Sequence, residues 1–243
     1  VVALAVAGAV FLLVFAPHAT PRITPTPAPT YAAPAAAPAL AADARLDAVA
    51  DARETTVSVG TLVDPAWLAA TSKRTGIPPR ALAAYAGAAI AKAHTMPTCG
   101  ISWNTLAGIG YVESRHGSYG GASIAASGKI SPPIYGVALN GVTTEHIPDT
   151  DKGRYDKDAE YDRAIGPMQM IPESWKNWKT DASGDGHRDP QNMYDAVMAA
   201  ANYLCRASDD MVSVAGWQQG IAAYNSAPSY RAAVARAAIR YAG

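Results

Sequence analysis

The side chains that dominate this chain are too small to build a sheet. Apolar residues make up 49% of its 243 positions, yet alanine is by far the commonest of them and only two are Phe. Alanine is the strongest helix former, whereas strands draw on β-branched and aromatic residues. The composition therefore predicts a mainly α-helical domain of closely packed helices.

The periodicity agrees. "DPAWLAATSKRTG" opens with Asp64 as N-cap and Pro65 at the first helical position, and Gly76 closes it. "PPRALAAYAGAAIAKA" puts Leu82, Tyr85, Ala86 and Ala89 on one stripe. A third helix, over 102–115, aligns Leu106, Ile109, Gly110 and Glu113. Glu113 thus continues a buried face, and Gly110 lets another group approach that face closely. Over 118–163 the pattern dissolves into an irregular insertion with one short hairpin near "GGASIAASGKISPPIYG" and an acidic run at 149–162, which reads as a solvated loop. An insertion of that length in a helical domain is often functional. Helical spacing returns in "PESWKNW", in "NMYDAVMAAANYLCRA" with Val197, Ala200, Ala201 and Leu204 on one face, and in the two last segments.

Outside this domain the chain changes character. Residues 1–16, "VVALAVAGAVFLLVFA", carry no charge and read as a signal-peptide core or a membrane anchor. Residues 17–42 are rich in Pro, Ala and Thr and read as a semi-rigid spacer. The globular domain is placed at 43–243, with its core at about 61–243. Both readings of residues 1–16 put that domain outside the cytoplasmic membrane, secreted or anchored within a cell envelope. Twenty basic residues balance twenty acidic ones, and no basic run stands out. Nucleic acid is therefore not an expected partner. In an exported chain the two cysteines, Cys99 and Cys205, favour one disulfide, with two unpaired buried thiols as the alternative.

Three stretches carry chemistry. "GIGYVESRHG" ends an apolar helix on Glu113. "YDRAIGPMQMIPESW" sets a Gly166-Pro167 turn and places the amide of Gln169 between Met168 and Met170, where it needs a partner in the protein or a ligand. "IAAYNSAPSY" puts Tyr224 and Asn225 at a helix end. Together with "SGDGHRDPQNMYDAVMAAANYLC", these motifs resemble the lytic transglycosylases, lysozyme-like enzymes that cut bacterial peptidoglycan. They are most similar to the membrane-bound B type in its actinobacterial form. The resemblance runs from about Asp64 to the C-terminus. It departs at Met170, where many relatives have Phe, and at the Ser-Ala that follows Tyr224-Asn225.

The resemblance implies a lysozyme-like fold, glycan strands as partner and Glu113 as the one catalytic carboxyl. Glu113 would protonate the oxygen between N-acetylmuramic acid and N-acetylglucosamine, then accept the proton of the substrate's own C6 hydroxyl. The product would carry a 1,6-anhydromuramoyl end. Ser114, Gln169, Tyr224 and Asn225 match the family's substrate contacts, with a mainly structural role as the alternative for Ser114 and with Met168 and Met170 flanking Gln169. Trp103, Trp175, Trp178 and Tyr230 are candidates for stacking on sugars, although each is more often core or rim.

Two other functions compete. A muramidase would hydrolyse the same bond and needs a second carboxylate, with Glu160 and Asp162 nearest in sequence. A silent glycan-binding module of the envelope would need no acid at all. No cofactor is expected for catalysis, and His116, His146 and His187 lack zinc-site spacing. "DASGDGHRDPQNMYDA" places Asp181, Ser183 and Asp185 at positions 1, 3 and 5 of a calcium loop, with the carbonyl of His187 at 7. Position 12 is Asn192, and the resemblance moves the last acidic ligand to Asp195. A structural Ca²⁺ is the expectation here, and an aspartate-capped turn the alternative.

Overall fold

The computed structural model describes residues 29, 31–49, 55–142 and 144–243. Seven α-helices occur among them: α1 (Pro65–Thr75), α2 (Pro79–Thr95), α3 (Trp103–Ser114), α4 (Pro172–Trp178), α5 (Met193–Ala207), α6 (Val214–Tyr224) and α7 (Pro228–Ala242). The mainly α class is as the composition predicts. The signals that start and stop the helices work as read. Asp64 caps α1 by accepting the Trp67 N–H at 2.7 Å, and Gly76 ends it in the left-handed region at φ 72°.

Helix α3 is the axis of the domain. Every residue from Trp103 to Gly110 is buried, with α7 and α2 packed against it. Small residues permit this. A Cβ on Gly110 would lie 2.0 Å from the Tyr85 hydroxyl of α2, so only glycine allows that ring to cross the helix there. Helix α3 becomes half-buried at Tyr111, Val112 and Glu113, where it reaches a cleft. Helix α5 packs on the other side of α2, and Cys205 on α5 is joined to Cys99 across a separation of 106 residues. Closing a loop of that length contributes about 2–4 kcal/mol.

The insertion holds two small antiparallel pairings. Strand β1 (Ser123–Ile124) pairs with β2 (Ile130–Ser131), which is the hairpin read from the sequence. Strand β3 (Tyr135–Ala138) pairs with β4 (Arg163–Ile165), Tyr135 opposite Ile165 and Ala138 opposite Arg163. Beyond β3 the chain forms an arm whose limbs are tied by Leu139 N–H to Asp162 C=O at 3.0 Å and Ile147 N–H to Leu139 C=O at 2.8 Å.

The acidic run at the base of the arm departs from the solvated loop expected of it. Asp156 and Asp162 are buried. Asp149 accepts the amides of Asp151, Lys152 and Gly153, and Asp151 accepts those of Arg154 and Tyr155. Asp162 takes both the amide and the hydroxyl of Thr150. A carboxylate that accepts backbone amides replaces the ladder bonds an irregular chain lacks, and here it shapes the arm.

The spacer reading of 17–42 needs correction over its described part. Residues 31–41 lie along the domain instead of standing free. Ala32 is buried, the Tyr31 ring meets Trp217 edge-on at 6.0 Å, and Leu40 bridges Val63. The clasp is Asn104 on α3. Its Oδ1 accepts the Ala35 N–H at 3.0 Å, while its Nδ2 donates to Ala33 C=O at 3.0 Å and to Ala238 C=O of α7 at 3.1 Å. Trp103 Nε1 adds a bond to Ala36 C=O. A Pro/Ala strand cannot form a core, but it can lay small side chains on an existing one if buried donors and acceptors meet its backbone. Residues 1–28, including the apolar segment 1–16, lie outside the described residues. No helix among the described residues is long and apolar enough to cross a membrane.

Asn104→Ala is expected to destabilise the domain by about 2–4 kcal/mol, because it removes three hydrogen bonds by which one buried side chain ties two segments together. Urea melts of the variant and the parent measure this, and an unchanged midpoint would show the strap to be dispensable.

Candidate active site

Glu113 opens into a cleft of about 740 Å³. The cleft lies between the arm, which contributes Leu139, Thr144, Glu145 and Ile147, and the ends of α5 and α6, which contribute Tyr203, Tyr224 and Asn225. Gln169 and Met170 form its floor. The sequence-derived residues Glu113, Gln169, Met170, Tyr224 and Asn225 are thus brought together.

Desolvation raises the Glu113 carboxyl from its ordinary 4.5 to about 7, against the opposing effect of a hydrogen bond from Tyr230. That bond, from Tyr230 Oη to Glu113 Oε1, is 2.5 Å long and favours the ionised form. Tyr230 stacks on Tyr224 with ring centroids 6.5 Å apart, and Tyr224 meets Tyr203 edge-on at 5.8 Å. Three phenols therefore wall one side of the acid. Because the folded-state value lies above the unfolded one, the contribution of Glu113 to stability is complete below about 4.5 and is lost as pH rises through about 7.

The geometry divides the expected substrate contacts into two groups. Ser114 is buried, and its hydroxyl is fully engaged: it donates to Pro167 C=O at 2.7 Å and accepts the Gly117 N–H at 2.8 Å. It is a fastener between α3 and the 166–170 turn, so its reading as a substrate contact is corrected. Met168 is also fully buried and does not line the cleft, because its side chain points into the core while its carbonyl accepts the Tyr224 hydroxyl at 2.6 Å. The turn is thereby held from α3 and from α6 at once. Gln169, in the left-handed region at φ 49°, is braced by its Nε2 bond to Gly166 C=O at 2.8 Å. Gly166 is required there, since a Cβ would lie 1.8 Å from Pro190 C=O.

The aromatic candidates divide similarly. Trp103 and Trp175 are core, whereas Trp178 is half-buried and reaches the cleft wall through Tyr203, edge-on at 6.1 Å. The two acids nearest in sequence for a second carboxylate, Glu160 and Asp162, do not line the cleft. Glu145 does, and sequence reasoning missed it, together with Tyr203 and the rest of the arm. No periodicity marks "TTEHIP", and a tyrosine in an alanine-rich helix reads as core.

The loop at 181–195 is closed by its own donors. Asp181 accepts from Ser183 Oγ and from the amides of Gly184, Asp185 and Gly186. Asp195 is fully buried and accepts the amides of Ala182, Ser183 and Asp189. Burial raises its carboxyl to about 7, with a smaller push from Asp181. Asp185 turns back to the His187 amide. Among the described residues, the group of three acids whose oxygens lie within 4.8 Å of one another is Asp149, Asp151 and Asp162 in the arm, not this loop. These bonds fit an aspartate-capped turn, while the Ca²⁺ cage rests on the resemblance; a carboxylate oxygen that accepts an amide can also ligate a cation.

The family model of the transglycosylase SLT domain matches residues 150–229, about a third of the chain. The matched stretch runs from the base of the arm through Gln169, the 181–195 loop, Tyr224 and Asn225; Glu113 lies before it and Tyr230 directly after it. No curated protein and no solved structure matches the chain. The match and the helix content together define a mainly α, lysozyme-like domain with small hairpins.

Closed by these bonds alone, the loop would keep its melting temperature in a chelator. A melting temperature that falls in chelator and returns only with Ca²⁺ would show these oxygens gathering round a cation.

Proposed function

We propose that this chain is a peptidoglycan lytic transglycosylase of the membrane-bound B type, acting outside the cytoplasmic membrane. One observation carries the reading: a single desolvated carboxyl, Glu113, with a proton affinity near neutrality, lining a cleft of about 740 Å³. The transglycosylase SLT match over 150–229 supports it, and so does the Cys99–Cys205 disulfide, which suits an oxidising compartment.

In this mechanism Glu113 gives its proton to the bridging oxygen as the bond from C1 of N-acetylmuramic acid breaks. Near pH 7 about half the molecules hold that proton, consistent with a value of about 7. The resulting carboxylate is stabilised by the Tyr230 hydroxyl. It then takes the proton of the C6 hydroxyl as that oxygen bonds to C1, which restores the acid and closes the anhydro ring. No water is consumed, so the chemistry needs one carboxylate where most glycosidases use two. Gln169 and Asn225 offer amides to the acetamido groups, and Tyr203 with Tyr224 offers a face to a sugar ring.

Glu145 in the same cleft favours one second reading, a muramidase in which that carboxylate activates water. Mass analysis of digested walls separates the two readings, because an anhydro end is lighter than a reducing end by one water. Anhydro ends are the expected product; reducing ends alone would sink the transglycosylase mechanism.

Glu113→Gln is expected to lower wall lysis by at least about 100-fold, the scale of a lost general acid. It should also remove the loss of stability that accrues between about pH 4.5 and 7, so that the variant melts higher than the parent at pH 8. Tyr230→Phe removes the bond that favours the carboxylate. It should therefore move the alkaline limb of the rate profile to higher pH, and an unmoved limb would sever Tyr230 from the acid.

A further inference from the structure

The charge pattern of the cleft has one sign. Among the described residues its two ionisable acids are Glu113 and Glu145, and no Lys, Arg or His lines it. Arg163, next in sequence to the lining residue Ala164, is tied elsewhere: it pairs with Asp158 at 2.8 Å and donates to Gly136 C=O. Glu145 is exposed, and its carboxylate has no hydrogen bond or ion pair among the described residues. Its backbone, by contrast, is fixed. The carbonyl accepts from Gly141 N–H at 3.3 Å and from Thr144 Oγ1 at 3.1 Å, and the flanking Asn140–His146 bridge holds the arm's tip. A fixed arm thus carries an unpaired carboxylate to the wall of a cleft that no described Lys, Arg or His lines.

We propose that Glu145 is a specificity residue that reads an ammonium group on the glycan strand, and that the cleft discriminates against strands whose amines are blocked. The inference rests on the peptidoglycan reading above. Carboxylates on a strand find no partner here and face a like charge, whereas a free amine completes an ion pair. The same ammonium chemistry has two sources on such a strand: the side-chain amine of an uncross-linked diamino acid in a peptide stem, or the amine of a de-N-acetylated sugar.

The test uses binding, so it does not depend on which bond-breaking chemistry operates. Glu113→Gln and the double variant Glu113→Gln/Glu145→Gln are titrated against insoluble cell wall, untreated and with its amines acetylated by acetic anhydride. Acetylation is expected to weaken binding of the single variant about two- to fivefold, the scale of an exposed ion pair, and to leave the double variant indifferent. Repeating the titration on strands stripped of stems by an amidase locates the amine: a retained effect puts it on the sugar, a lost one on the stem. Equal responses of the two variants to acetylation, or no response in either, would overturn the proposal. The mass of the products made by the unaltered protein tests the transglycosylase reading separately.

Discussion

A carboxyl group at the end of a helix that is buried along most of its length resists losing its proton. That resistance organises the domain. Beside Glu113 lie the phenols of Tyr224 and Tyr230, and burial moves its proton affinity from 4.5 to about 7. The cost falls on the folded state whenever the group ionises, so the surrounding structure has to be stiff enough to refuse the relaxation that would readmit water. Two of the hydroxyls near the site serve that stiffness. Ser114 and Tyr224 fasten the 166–170 turn from opposite sides, through the carbonyls of Pro167 and Met168.

The arm is stiffened by different means. Its sequence has too few apolar residues to pack and too little regularity for a ladder. Aspartates supply the missing order by accepting amides from their neighbours, and buried Asp156 reaches across to the Arg163 amide at 2.7 Å. The charge density that makes this stretch look solvated is what folds it. Because the arm forms one wall of the cleft, the acids at its base and the acid at its tip, Glu145, have separate roles: the first give shape and the second faces the opening.

Helices were legible because their information is local. Caps at Asp64 and Gly76, stripes at 3.6-residue spacing and proline starts at Pro65, Pro79, Pro172 and Pro228 are all recorded within a few residues of where they act. Glu113 was legible for the same reason, as a charge on a buried stripe. What escaped depends on contacts distant in sequence. The docking of 31–41 requires Asn104 and Trp103, about 70 residues away, to meet the backbone of a segment whose composition resembles a free spacer. The roles of Ser114 and Met168 depend on partners 53 and 56 residues away. Both sit inside stretches whose pattern marks a site, and pattern does not distinguish a residue that faces the cleft from one that fastens its wall.

The same distinction bears on how one carboxyl can act twice. A group that first gives a proton and then takes one works best when neither form is strongly preferred at the working pH. In this site burial alone would hold Glu113 protonated, and the Tyr230 hydroxyl alone would hold it ionised; their opposition leaves a value of about 7. Tyr230 comes from α7, the helix that packs along α3, so the separation of the two groups is fixed by the most extensive helix pairing among the described residues. Small residues set that pairing: a Cβ on Gly108 of α3 would lie 2.9 Å from the Val234 carbonyl of α7. The alanine and glycine content that first defines the fold therefore also sets the distance at which a phenol meets the acid, and with it the balance between the acid's two forms.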